Sequence, residues 1–125
     1  MGKKQDNNRE RPGKYAYENL TRVIHEKARL GIITSLLGNR RGLSFNELKK
    51  LCDLSDGNLS RHMQVLEQYG FVEVHKGFEG RKPRTDYKLT AFGEQEFMRY
   101  LADLERVIAD ARQVINQRVL QTRES

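Results

Sequence analysis

The sequence predicts a mostly α-helical fold with one small β-hairpin and a long last helix, on three observations. Residues 55–69 carry apolar side chains at helical spacing and stop at Gly70. Two strand-like runs, 71–75 and 85–89, follow at once, joined by a cation-rich connection. From Ala91 to about Leu120 apolar residues repeat at heptad intervals.

Composition narrows the class. A chain of 125 residues holds one compact core and not obviously two. With 37% hydrophobic and 32% charged residues it suits a small domain with exposed helices better than a deep-cored enzyme. Net charge is +6, unevenly placed. Residues 1–90 hold 18 Lys/Arg against 11 Asp/Glu, and residues 91–125 hold 5 against 6. A basic excess of this kind either draws polyanions or only keeps the chain soluble. Cys52 is the single cysteine, so no intramolecular disulfide can form, and a reducing cytoplasm is the expected location. No apolar run is long enough for a bilayer, and the cationic N-terminus lacks the apolar stretch of a signal peptide.

Residues 1–15 read as a disordered basic arm, with Lys3, Lys4, Arg9, Arg11 and Lys14 around Pro12-Gly13. Such an arm either enters a minor groove or is a solvated end. From Tyr17 the pattern turns helical: Leu20, Ile24, Ala28, Ile32 and Leu36 fall four apart, widened by Val23, Ile33 and Leu37. Gly38-Asn39 ends it. One helix over 17–38, or two with a break near His25, both fit.

Ser44-Phe-Asn-Glu47 is a capping box. The serine oxygen takes a free backbone N–H while the glutamate reaches back. Phe45, Leu48, Leu51 and Cys52 then form an apolar face to about Leu54, which makes Cys52 a buried thiol rather than a redox sensor. Ser55 caps the next helix within a few residues, so the two must cross steeply as a helix-turn-helix. In that second helix Leu59, Met63 and Leu66 mark the core side, and Arg61 points nearly opposite. Gly57, Asn58, Gln64 and Gln68 flank it, with Ser60 at the edge. Amides and a guanidinium pair well with base edges, whereas an ordinary solvated face favours Glu and Lys. His62 suits DNA contact and helix-edge packing equally.

In the hairpin, Phe71, Val72 and Val74 face Tyr87 and Leu89. The nine-residue connection 76–84 is too long for a tight two-residue turn. Gly77, Gly80 and Pro83 shape it, with Phe78 near its base. Lys76, Arg81, Lys82 and Arg84 stand against Glu79 alone, a charge pattern suited to phosphates. Thr90 caps the last helix. Phe97, Leu101, Leu104, Ile108, Ala111 and Ile115 form a heptad seam, with Tyr100, Val107 and Val114 on its flank. A 30-residue helix is about 45 Å long, more than a small core covers. The part beyond Leu104 has no evident partner in the chain, which predicts a homodimer.

These residues resemble the winged-helix transcription regulators of the MarR and ArsR type, in the small form with one C-terminal dimerising helix. The likeness spans roughly 25–111 and rests on several motifs. They are Ala28-Arg29-Leu30-Gly31-Ile32-Ile33, Leu43-Ser44-Phe45-Asn46-Glu47-Leu48, Gly57-Asn58-Leu59-Ser60-Arg61-His62-Met63, Leu66-Glu67-Gln68-Tyr69-Gly70-Phe71-Val72 and Tyr87-Lys88-Leu89-Thr90. It implies a winged helix-turn-helix over 16–90 and a dimerisation helix over 91–125. It also implies that 55–69 is the recognition helix, with Ser60, Arg61 and His62 near DNA, and that 76–84 is the wing. Metal-sensing relatives carry paired cysteines or late His and carboxylate ligands. This chain has one cysteine and no histidine after His75, so no metal and no cofactor are expected. Little sequence is left over for a ligand pocket.

No catalytic motif appears, so an enzyme is not expected. The leading expectation is a homodimeric regulator that binds double-stranded DNA by sequence, through Asn58, Ser60, Arg61, His62 and Gln64 and the wing cations. The alternatives are a winged helix used for protein docking, or a chromatin-like DNA binder without sequence preference.

Overall fold

Two serines set the starts of the central helices. In the computed structural model, which describes residues 13–124, the Ser44 side chain accepts from Glu47 N–H at 3.1 Å. Glu47 Oε1 accepts from Ser44 N–H at 2.9 Å, which completes the capping box and starts helix α2 (Phe45–Cys52). Asp53 ends it in the left-handed region, φ 53. Ser55 then accepts from Asn58 N–H at 3.2 Å and caps α3 (Asp56–Gln68). Across the tight turn Lys49 Nζ reaches Asp56 at 2.8 Å.

The first helix is shorter than its apolar period. Helix α1 runs Lys27–Leu37, and residues 13–26 are turns and bends. The reason is local. Glu26 sits in extended backbone, φ −151 and ψ 130, where its carboxylate accepts from Ala28 N–H as the N-cap. Ile24, Ile32, Ile33 and Leu36 are still buried, so the four-residue spacing reported core positions on both sides of the helix start.

The hairpin also departs from expectation. Strands β2 (Val72–Glu79) and β3 (Lys82–Leu89) pair as far as Glu79↔Lys82, leaving Gly80-Arg81 as a two-residue turn. Gly80 takes φ 64 and Arg81 does not, the φ pattern of a turn with glycine first. The expected nine-residue loop is therefore mostly strand. Pro83 costs the sheet nothing, because β1 (Leu43–Ser44) pairs β3 only at Tyr87 and Asp86 and leaves Pro83 on an open edge. That two-residue strand completes a three-stranded antiparallel sheet, order β1-β3-β2. Gly42 precedes it at φ 102, where a Cβ would lie 2.8 Å from Tyr87 O.

Helix α4 runs Ala91–Glu124, entered where Thr90 Oγ1 accepts from Gly93 N–H at 2.9 Å. The chain divides into two compact units. One is Thr21–Met98, whose core includes Ile32, Leu48, Leu59, Met63, Leu66, Phe71 and Phe97. The other joins the described residues 13–20 to 99–124. There Tyr17 donates its hydroxyl to Asp110 at 2.7 Å, and Asn19 N–H donates to the buried carboxylate of Asp103 at 2.8 Å. The segment 13–20 thus lines part of α4 that was expected to stand alone. Lys3, Lys4, Arg9 and Arg11 of the expected arm lie outside the described residues. Among the described residues no helix is long and apolar enough to cross a membrane.

Candidate nucleic-acid interface

Helix α3 presents two unlike faces. Leu59, His62, Met63 and Leu66 are buried, while Asn58, Ser60, Arg61, Gln64 and Gln68 are exposed. Arg61 has no ion-pair partner among the described residues. The acids of this helix lie to the side. Asp56 is held by Lys49 in the first turn, and Glu67 borders a cleft with Ser60, Met63, Gln64, Val74, Lys76 and Tyr87. Glu67 is the acidic neighbour that the sequence pattern did not weigh.

His62 belongs to the inner set, which corrects its placement with the DNA-facing residues. It is 6% exposed. Arg29 Nη1 lies 3.1 Å from His62 Nδ1, and Glu26 Oε2 lies 3.1 Å from His62 Nε2. A guanidinium only donates, so Nδ1 accepts and Nε2 carries the hydrogen that Glu26 receives. Arg29 is itself anchored, donating to Val23 O at 2.6 Å and Arg22 O at 3.1 Å. Glu26 and Arg29 therefore fasten α3 to the start of α1. Their i,i+3 spacing was visible in the sequence, but the histidine that joins them lies 33 residues beyond Arg29.

Burial first, and then the charges of Arg29 and Arg61, push the His62 imidazole below its ordinary value of 6.5, against the pull of Glu26. The unfolded chain then takes up this proton at a higher pH than the folded one. Stability from a neutral His62 is complete above about pH 6.5, and it falls as pH drops towards the lower folded value. His62→Gln is expected to remove that component, seen as a flatter pH dependence of urea unfolding between about pH 5 and 7. An unchanged slope in the variant would refute the assignment.

The wing cations are not equivalent. Arg84, expected on phosphate, is engaged within the protein: Nη1 meets Glu79 at 2.6 Å, Nε meets Asp86 at 3.0 Å and Nη2 meets Glu47 at 3.4 Å. The Glu79 hydrogen bond first, and then Asp86, raise the Arg84 pKa, and the contact with Glu47 braces the hairpin against the capping box of α2. This corrects its grouping with the free cations. Lys76, Arg81 and Lys82 are exposed and have no ion-pair partner among the described residues.

The heptad positions split in the same way. Phe97 is buried in the core of the Thr21–Met98 unit, which removes it from the expected seam. Leu101 and Leu104 are half-buried, whereas Ile108, Ala111 and Ile115 are exposed. Val114, Val119 and Leu120 extend the exposed row towards the C-terminus. Beside it, Tyr15, Tyr17, Val107, Ala111, Val114 and Ile115 line an open apolar trough.

Comparisons with known proteins agree with this fold. A family model described as "Winged helix DNA-binding domain" matches residues 28–108. An uncharacterised protein of Methanocaldococcus jannaschii is 32% identical over 83 residues, covering 66% of this chain and 89% of that protein. The structure of a transcriptional regulator homologue from Pyrococcus horikoshii matches with a TM-score of 0.71 and 35% identity, covering 78% of this chain and 97% of that one. The Staphylococcus aureus MepR–DNA complex matches with a TM-score of 0.62, covering 98% and 97%. Its 13% identity is a likeness of fold alone, as are those of regulators described as of the MarR and ArsR families, at 20% and 18%.

Proposed function

We propose that this chain, which belongs to the winged helix DNA-binding domain family, is a homodimeric transcriptional regulator that binds double-stranded DNA by sequence. The outward face of α3 carries the reading. Arg61, Gln64, Asn58 and Ser60 stand exposed on a helix whose other side is fastened by His62, so base-reading groups rest on a rigid support. Lys76, Arg81 and Lys82 on the adjacent wing supply phosphate contacts. A DNA complex among the structures of like fold favours the same partner. The exposed row from Ile108 to Leu120 favours self-association through α4, with Leu101, Leu104, Ala111 and Ile115 contributing. Twofold symmetry then calls for a pseudo-palindromic site with half-sites about 34–36 Å apart. The role is one of binding and not catalysis.

The decisive experiment enriches bound fragments from a random duplex pool and measures the mass of the free protein by sedimentation. A dimer that selects an inverted repeat supports the proposal. A monomer that enriches nothing and ignores duplex at low salt ends it. Arg81→Ala with Lys82→Ala is expected to weaken all duplexes to a similar degree and to flatten the slope of log K against log salt by about two. Gel shifts at several salt concentrations check this, and a loss confined to one sequence would speak against phosphate binding by the wing.

A further inference from the structure

The two faces of the wing differ in chemistry. Cross-strand register pairs Val74 with Tyr87, Lys76 with Thr85 and Phe78 with Pro83. Side chains alternate along a strand, so these six share one face. At its inner end Val74 and Tyr87 border the cleft beside Ser60 and Gln64 of α3, so this face turns towards the recognition helix. Every acid of the hairpin lies on the other face. Glu73 meets His75 at 3.3 Å, and Glu79 and Asp86 hold Arg84. The helix-side face therefore runs outward from the core as Lys76 and Thr85, then Phe78 and Pro83, with no carboxylate, up to the Gly80-Arg81 turn.

Phe78 is 74% exposed, more than any other large apolar side chain among the described residues. Isolated surface apolar groups are ordinary. This one is placed differently, on a hairpin face with no acid of its own, beyond the inner cleft that Glu67 of α3 borders, with Lys76 on one side and Arg81 on the other. A surface built that way is complementary to something both apolar and polyanionic. The minor groove of duplex DNA fits, with deoxyribose walls and base edges between two rows of phosphate. Resting on the reading that the chain binds duplex DNA, we propose that Phe78, backed by Pro83, is an apolar wedge that enters the minor groove beside the recognition site. There it packs on sugars and pries at a base step, while Lys76 and Arg81 hold the flanking phosphates. Such a wedge adds sequence preference at a position touched by no hydrogen bond, because TA and CA/TG steps open most easily.

The test compares the wild type, Phe78→Ala and Phe78→Leu on the selected duplex, with salt titrations and a repeat of fragment selection. Phe78→Ala is expected to lose affinity on the order of tenfold. Its melting temperature and salt slope should stay unchanged, since neither core packing nor a phosphate contact is removed. The preference for a flexible step under the wing should fade, and Phe78→Leu should retain most of the affinity. Equal binding and the same selected sequence for wild type and Phe78→Ala would overturn the wedge and leave DNA binding standing. A loss accompanied by a flatter salt slope would also overturn it, by assigning Phe78 to the support of the wing cations. Failure of the wild type to bind any duplex would remove both the wedge and the reading beneath it.

Discussion

Gly93→Ala is expected to be among the most damaging single-methyl changes in this chain. A Cβ at Gly93 would lie 2.5 Å from Phe71 O, 3.0 Å from Phe71 Cα and 3.1 Å from Leu89 Cδ1. Two of those atoms are backbone, and the carbonyl is engaged. Phe71 O accepts from Thr90 N–H at 2.9 Å, and the Thr90 hydroxyl lies 2.7 Å from Gly70 O and 3.1 Å from Phe71 O, its one hydrogen shared between them. Moving it to relieve the clash would undo the cap that starts α4. Alanine is otherwise the better helix former by about 1 kcal/mol, so the clash must exceed that before any loss is seen. Overpacking against backbone supports a net destabilisation of about 3 kcal/mol, a large share of the roughly 5–15 kcal/mol of a small domain. Gly57→Ala is the internal control. No atom lies within 4 Å of its added methyl, and it sits in the first turn of α3. That variant should gain stability, up to about 1 kcal/mol. Urea unfolding of both variants gives the comparison. If Gly93→Ala lies within about 0.5 kcal/mol of the wild type, the close crossing of α4 over Phe71 is not real.

What the sequence made legible was whatever depends on local spacing. Ser44 with Glu47, Ser55 before α3, and the run of Leu59, Met63 and Leu66 each declare a structure within a few residues, and each is present. Strand β1 left no signal because two residues have no period. The sequence points to a nine-residue loop instead of a two-residue turn because Gly77, Gly80 and Pro83 all look like loop residues. Only Gly80 bends the chain, since Gly77 and Pro83 are tolerated inside paired strands. The site errors have one shared cause, partners distant in sequence. Arg84 reads as a free cation in the sequence, whereas the fold brings Glu47, 37 residues away, to join Glu79 and Asp86 around it. His62 suits DNA contact and packing equally in the sequence, and only the fold encloses it between Glu26 and Arg29. Phe97 obeys the same heptad as Ile115, and periodicity says that a side is apolar without saying what covers it.

Arg61→Ala separates base reading from simple charge attraction. The side chain is exposed and unpaired among the described residues, so its removal should leave folding intact. If the guanidinium grips a base edge with two hydrogen bonds, losing it costs about 1–3 kcal/mol of discrimination. The selected duplex should then bind about 5- to 150-fold more weakly, while random duplex, which the proposed wing contacts of Lys76, Arg81 and Lys82 would hold, should change little. Arg61→Lys sharpens the distinction. It keeps the positive charge, and therefore the salt slope, but lacks the planar fork that reaches two acceptors at once. Lysine should thus behave like alanine on the selected site and like arginine on random duplex. Competition titrations of the three proteins on both duplexes decide the matter. Parallel losses on both would make Arg61 a phosphate contact. Full retention by lysine on the selected site would mean that charge, and not shape, is what α3 offers at that position.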